Sequence, residues 1–167
     1  EAGVRADQIG FEADCDSKGR AVIRPQERQK ANFIIGAVHV LRSLKKWRIR
    51  AEDATEEFLY LNENLFNDDI DVIAHPFRVL RKAGISVGDD VYAKMIELLK
   101  THNVAAEINF HTNEPPGDFF QMCLTEGVTL SFGSDSHNLC EIGDFALHID
   151  MLRSYGYSGD FADILWN

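Results

Sequence analysis

The sequence contains no P-loop, no Rossmann glycine fingerprint, no G-x-S-x-G elbow and no H-E-x-x-H helix. Those absences remove the familiar motif-borne routes to nucleotide binding, serine hydrolysis and helical zinc proteolysis. Cysteine is scarce: Cys15, Cys123 and Cys140 are widely spaced, odd in number and without a C-x-x-C pair. A disulfide framework is therefore not expected, and a reducing compartment, the cytoplasm by default, is. No apolar run approaches the roughly 20 residues of a membrane span, and residues 1–20 have no signal-peptide layout. Basic side chains are outnumbered, 17 against 27 acidic, for a formal charge of -10. That balance disfavours a nucleic-acid partner, which needs a patch of Lys and Arg to meet the phosphates. What is present is globular: 45% apolar residues, 11 Phe and only 4 Pro in 167 residues, which fits one domain over 1–167.

Short apolar runs alternate with helical patterns. Ile9 to Cys15 reads as a strand, the turn Asp16-Ser17-Lys18-Gly19 follows, and Pro25 suits the first turn of a helix to Lys30. Phe33 to Val38 reads as a buried strand, Glu52 to Asn62 as a helix, and Asp71 to His75 as a short strand stopped by Pro76. Val91 to His102 is amphipathic, with Met95, Leu98 and Leu99 on one side, and Val104 to Phe110 is the next strand. Phe119 to Glu126 is a helix closed by Gly127, Val128 to Gly133 a strand, and Asp144 to Tyr155 the last helix. Five strand–helix units predict an α/β fold with a parallel sheet covered by helices. Ligand-type residues end every strand, which favours a barrel over an open sheet, although a (β/α) barrel normally has eight units in about 250 residues.

The chemistry-bearing residues sit at those strand ends. Glu12 follows Gly10-Phe11, and a carboxylate there can bridge two cations. Asp14 shares its face. His39 ends one apolar run and His75 another; imidazole is a natural ligand for zinc, iron or manganese. Asp135 and His137 follow Gly133-Ser134, with a one-residue gap that lets them reach different cations or one water. Glu107 and Asn109 alternate along a strand and so share a face, where Asn109 can orient water or substrate and Glu107 needs a buried partner such as an arginine. His111 is a substrate contact or a solvated side chain. Arg78 and Arg81, after His75-Pro76, and Arg42, after His39, can grip a phosphate or face solvent. The basic run Arg42 to Arg50 reads as an anion-attracting loop or a solvated face. His102 and His148 fall on helices, away from the strand ends. Metal-activated water is the most economical chemistry for this set, with Asp135, His137 and Asn109 as the catalytic side chains.

Together these pieces resemble the polymerase and histidinol phosphatase (PHP) family of metal-dependent phosphoesterases. The matching segments are Gly10-Phe-Glu12-Ala-Asp14, Phe33-Ile-Ile-Gly-Ala-Val-His39, Val72-Ile-Ala-His75-Pro76, Ala106-Glu-Ile-Asn109 and Gly133-Ser-Asp135-Ser-His137, in order from about residue 9 to 155. The resemblance implies a distorted (β/α)7 TIM-like barrel, present here as about five units, the C-terminal two-thirds of such a domain. It implies divalent zinc, manganese or iron, up to three in a complete site, and a small phosphorylated substrate. By that resemblance Glu12 bridges the first two metals, His39 and His75 complete the second, Asp135 helps hold the first, and His137 binds the third. The family's opening H-x-H motif and two further histidines have no counterpart, and residues 1–8 are too few to hold them. A missing N-terminal segment or a second chain would then complete the barrel. The alternatives are a catalytically incomplete remnant or accessory domain without turnover, and a metal-dependent hydrolase of C–N bonds.

Overall fold

A computed structural model of the chain describes residues 8–112 and 114–166. The sequence reading of residues 1–7 lies outside the described residues. Five strands, β1 (Gly10–Asp14), β2 (Phe33–Ala37), β3 (Val72–Ile73), β4 (Ala105–Asn109) and β5 (Leu130–Gly133), form one sheet in the order β1-β2-β3-β4-β5. Every pairing is parallel. The order never reverses, so the sheet has none of the switch points at which open, doubly wound sheets form their crevice.

The helices are α1 (Pro25–Arg28), α2 (Ala51–Phe66), α3 (Arg78–Lys82), α4 (Asp89–His102), α5 (Gly117–Glu126) and α6 (Ala146–Ser154). Sequential parallel strands with right-handed crossovers put their helices on one face of the sheet. Accordingly α4 packs between α2 and α5. Helix α2 starts where Glu52 and Asp53 supply negative charge to its first turn, and α4 does the same with Asp89 and Asp90. Helix α5 stops at Gly127, whose φ of 70° is the left-handed cap expected of that residue. Between sheet and helices lies a core of Leu61, Leu65, Ile73, Leu80, Met95, Leu99, Ile108, Phe119 and Phe120, all essentially inaccessible. No helix among the described residues is long and apolar enough to cross a membrane.

The opposite face is concave. Register sets Glu12, Ile35, Val72 and Ala105 in one row across the sheet, with Glu107 beside Ser131 and Asn109 beside Gly133 higher up. At the bottom, the Phe33 ring of β2 meets Trp166 edge-on, 5.3 Å between centroids. Trp166 lies beyond β5, where its amide donates to the Leu130 carbonyl at 2.8 Å. In a flat sheet, four strand spacings would hold those backbones roughly 19 Å apart. The contact therefore requires the sheet to curl towards its helix-free face.

The expected elements appear with shifted ends. Strand β3 is only Val72–Ile73 rather than Asp71 to His75. Helix α2 runs on to Phe66 instead of stopping at Asn62. The five-residue α3 was not predicted, because Pro76 reads as a stop and hides the turn that follows.

Candidate metal centre

His39, His75 and Asp135 each lie two residues beyond the last residue of β2, β3 and β5, and Glu12 points from within β1. Parallel strands bring all these positions to one rim. By strict alternation from Val72, His75 would face the helix layer. It does not, because the strand stops at Ile73 and the backbone turns: His75 has φ 29° and Phe77 φ 67°. Such conformations cost about 1–3 kcal/mol each in a non-glycine residue and persist only when the surroundings fix them. Here the His75 amide donates to the buried Glu107 carboxylate at 2.7 Å, and Phe77 is locked in the core.

The turn brings His75 Nε2 within 3.2 Å of His39 Nε2, and His39 Nε2 lies 3.6 Å from Glu12 Oε1. The three ligand atoms all fall within 4.8 Å of one another, the only such group of three among the described residues. Tetrahedral coordination with bonds of 2.0–2.2 Å places neighbouring ligand atoms about 3.3–3.6 Å apart, so the spacing fits one cation. Two histidines and a glutamate are also a donor set of catalytic zinc sites, which leave a further coordination position open. Asp14 Oδ1 stands 3.4 Å from His39 Nδ1, behind the ring. A carboxylate there favours the tautomer with the proton on Nδ1 and the lone pair on Nε2. Burial holds the His75 imidazole far below its ordinary range, at about 3, with the Arg78 and His39 charges adding to the effect. It is thus neutral at physiological pH. Burial also raises Glu12, with Asp135 and Asp14 adding repulsion against the lowering by His39 and Arg78. A cation among the three would relieve the cost of ionising Glu12 and would be met by an already neutral His75.

The remaining predicted residues divide. Arg78, read as gripping a phosphate or facing solvent, is buried, and its guanidinium donates to Asp135 Oδ2 at 2.9 Å and to Asn109 Oδ1. A buried guanidinium must be neutralised, and these partners do so. The arginine sought for Glu107 is this one, though Glu107 meets it through Asn109, whose Nδ2 donates to Glu107 Oε2 at 3.2 Å. Asn109 is buried, and its Oδ1 also accepts from the His111 amide, so its carbonyl is engaged within the protein. Asp135, at φ 46°, is joined to Arg78 and stands outside the Glu12–His39–His75 group, as does His137. His137 is exposed and stacks on His111, 4.4 Å between centroids and 9° from parallel. Its Nδ1 lies 2.9 Å from the Asp135 carbonyl, which can only accept, so Nδ1 donates there.

Arg81 lines a different cleft, with Tyr92, Pro115 and Asp118. Arg42 is exposed, and its amide is bound by Glu57. Much of the basic run beyond it is met by α2: Lys46 pairs with Asp53 at 3.3 Å and Arg50 with Asp53 at 3.7 Å. His148 does not lie away from the strand ends, as its helical position suggested. It is buried against Phe110 and Phe132, and its Nε2 donates to the Gly133 carbonyl at 3.0 Å. Gly133 in turn has no alternative residue: a β-carbon there would overlap the Glu107 carboxylate. Residues whose contribution sequence reasoning missed are Phe77, Glu141, which binds the His137 amide, and His148; only the aromatic clustering around 110, 132 and 145 hinted at the last.

Two buried groups set opposing pH dependences in the metal-free chain. His75 is depressed from 6.5 to about 3, so its contribution is intact above 6.5 and is lost as pH falls. Glu107 is raised from 4.5 to about 7, chiefly by burial, so its contribution is intact below 4.5 and is lost as pH rises. Each slope is about 1.4 kcal/mol per pH unit, with opposite sign. Between pH 4.5 and 6.5 they oppose each other, with the depressed His148 adding to His75 and the raised Glu12 adding to Glu107; below 4.5 the imidazoles lose that opposition. Thermal melts in chelator should be nearly level from pH 6.5 to 4.5 and fall steeply below it. A steady rise in melting temperature across that window would mean that Glu107 is ionised throughout.

No protein-family model matches the chain, and no curated protein matches it either.

Proposed function

We propose that this chain is a metal-dependent phosphoesterase of the PHP type, built on part of a distorted (β/α) barrel. The observation that carries the reading is the convergence of Glu12, from within β1, with His39 and His75, just past the C-terminal ends of β2 and β3, on the side where such barrels place their active sites. The unreversed strand order and the curl that joins Phe33 to Trp166 support the barrel. The β1 edge, flanked by exposed Ile9 and Phe11, is where a further strand of that barrel would pair, from this chain or a second copy. The sequence segments that resemble the family supply the phosphoester assignment.

A divalent cation, which Glu12, His39 and His75 would hold, would supply Lewis-acid activation of water or phosphate. The chain's own groups do the rest. Asp14 fixes the His39 tautomer, and Glu107 fixes the His75 turn. The His137 imidazole, at the exposed rim with Nδ1 donating to the Asp135 carbonyl, is placed to pass protons between the site and solvent. A small phosphorylated substrate suits an open rim on a chain of net charge -10 better than a polyanion does.

The test is hydrolysis of p-nitrophenyl phosphate by chain loaded in turn with manganese, zinc or iron, beside a cyclic amide and a chelated control. Metal-dependent release of phosphate is expected. Cleavage of the amide alone would select a C–N hydrolase, and metal binding without either activity would select the non-catalytic remnant.

A further inference from the structure

Resting on that reading of the site, we infer that Arg78 is a built-in cation that takes the place of a second metal, so that the chain binds one divalent ion. Three carboxylates, those of Glu12, Asp14 and Asp135, gather at the rim with two imidazoles and the buried Glu107 carboxyl, a set that a multinuclear site would balance with further cations. Among the described residues, Glu12, His39 and His75 are the only group of three close enough to share an ion.

The next carboxylate is occupied. Asp135 Oδ2 receives Arg78 at 2.9 Å, while the other arm of the guanidinium is held by Asn109. Arg78 is 8% exposed, and its amide donates to the His75 carbonyl at 3.1 Å, so this charge is delivered by the same turn that delivers His75. From there it acts on Glu12, His75, Glu107 and Asp135 together. A guanidinium forks between two acceptors as a single metal ligand set would, but it cannot dissociate. Asp135 remains in a left-handed backbone conformation that its bond to Arg78 helps to fix. Arg78 is thus a positioning residue: it keeps Asp135 out of the metal's reach.

Equilibrium dialysis of chelator-stripped chain against Mn2+ tests this with no reference to turnover. Wild type should retain about one ion per chain, Arg78→Lys about one, and Arg78→Gln, with Asp135 released, about two. Two or more ions in wild type, or one in a folded Arg78→Gln variant, would overturn the inference and leave the phosphoesterase reading standing. No ion in wild type would overturn both. Should Arg78→Gln fail to fold, Asp135→Asn decides. Its Mn2+ affinity should stay within about twofold of wild type, whereas a loss of about tenfold or more would make Asp135 a ligand.

Discussion

Replacing His75 by alanine should lower the affinity for Mn2+ or Zn2+ by at least about a hundredfold, since even residues that only orient a ligand typically contribute 10–100-fold. His75 is the best-held member of the group. Its side chain is buried, its amide is bound by Glu107, and its ring is kept neutral and ready to ligate. Alanine removes the nitrogen that lies 3.2 Å from His39 Nε2 and leaves only Glu12 and an exposed His39. Isothermal titration on stripped protein measures the change directly. An affinity unchanged within experimental error would show that the imidazole pair is a hydrogen-bonded rim feature rather than a ligand pair.

Phe77→Ala should be the most destabilising single change near the site, by about 3–5 kcal/mol. Phe77 is fully buried at the meeting point of three aromatic partners. Its ring centroid lies 5.0 Å from Phe58, 5.0 Å from Tyr92 and 4.9 Å from Phe119, so one side chain ties α2, α4 and α5 together. Removing it opens a cavity lined by aromatic rings that cannot collapse without moving helices. For a chain of this length the melting temperature should fall by roughly 10 °C or more. Alanine gains nothing from the left-handed φ of 67°, so no relief of strain offsets the cavity. Because Phe77 follows His75-Pro76, metal affinity should weaken as well. A loss below about 1 kcal/mol would mean that the aromatic cluster is looser than its packing indicates.

The ligand group was legible because His39 and His75 mark where apolar runs end and Glu12 belongs to the strand beside them, and parallel strands bring these positions together. Glu12, His39 and His75 needed no more than that. The role of Arg78 was not legible. A residue three positions beyond His75 points wherever the turn sends it, and the left-handed conformations of His75 and Phe77 leave no mark in the sequence. Asp135 was marked as a ligand candidate by its place after an apolar run and a glycine, one residue from His137, whereas its ion pair with Arg78, from a different strand's loop, left no mark in the sequence. His148 was misplaced because a helical pattern gives a residue's face but not which strand end that face covers. The extension of α2 has the same origin. Asn62, Asn64 and Asn67 are poor helix formers, yet each side chain donates to the carbonyl four residues back, and buried Leu65 and Phe66 reward the added turn.

The central claim is that Glu12, His39 and His75 hold one cation. X-ray absorption at the zinc edge, on stripped chain reloaded with one equivalent of Zn2+, tests it most directly. Two imidazole shells with Zn–N of about 2.0–2.1 Å and a light-atom remainder are expected, with the imidazole signal halved in either His39→Ala or His75→Ala. A first shell of oxygen alone, unchanged by both substitutions, would contradict the claim.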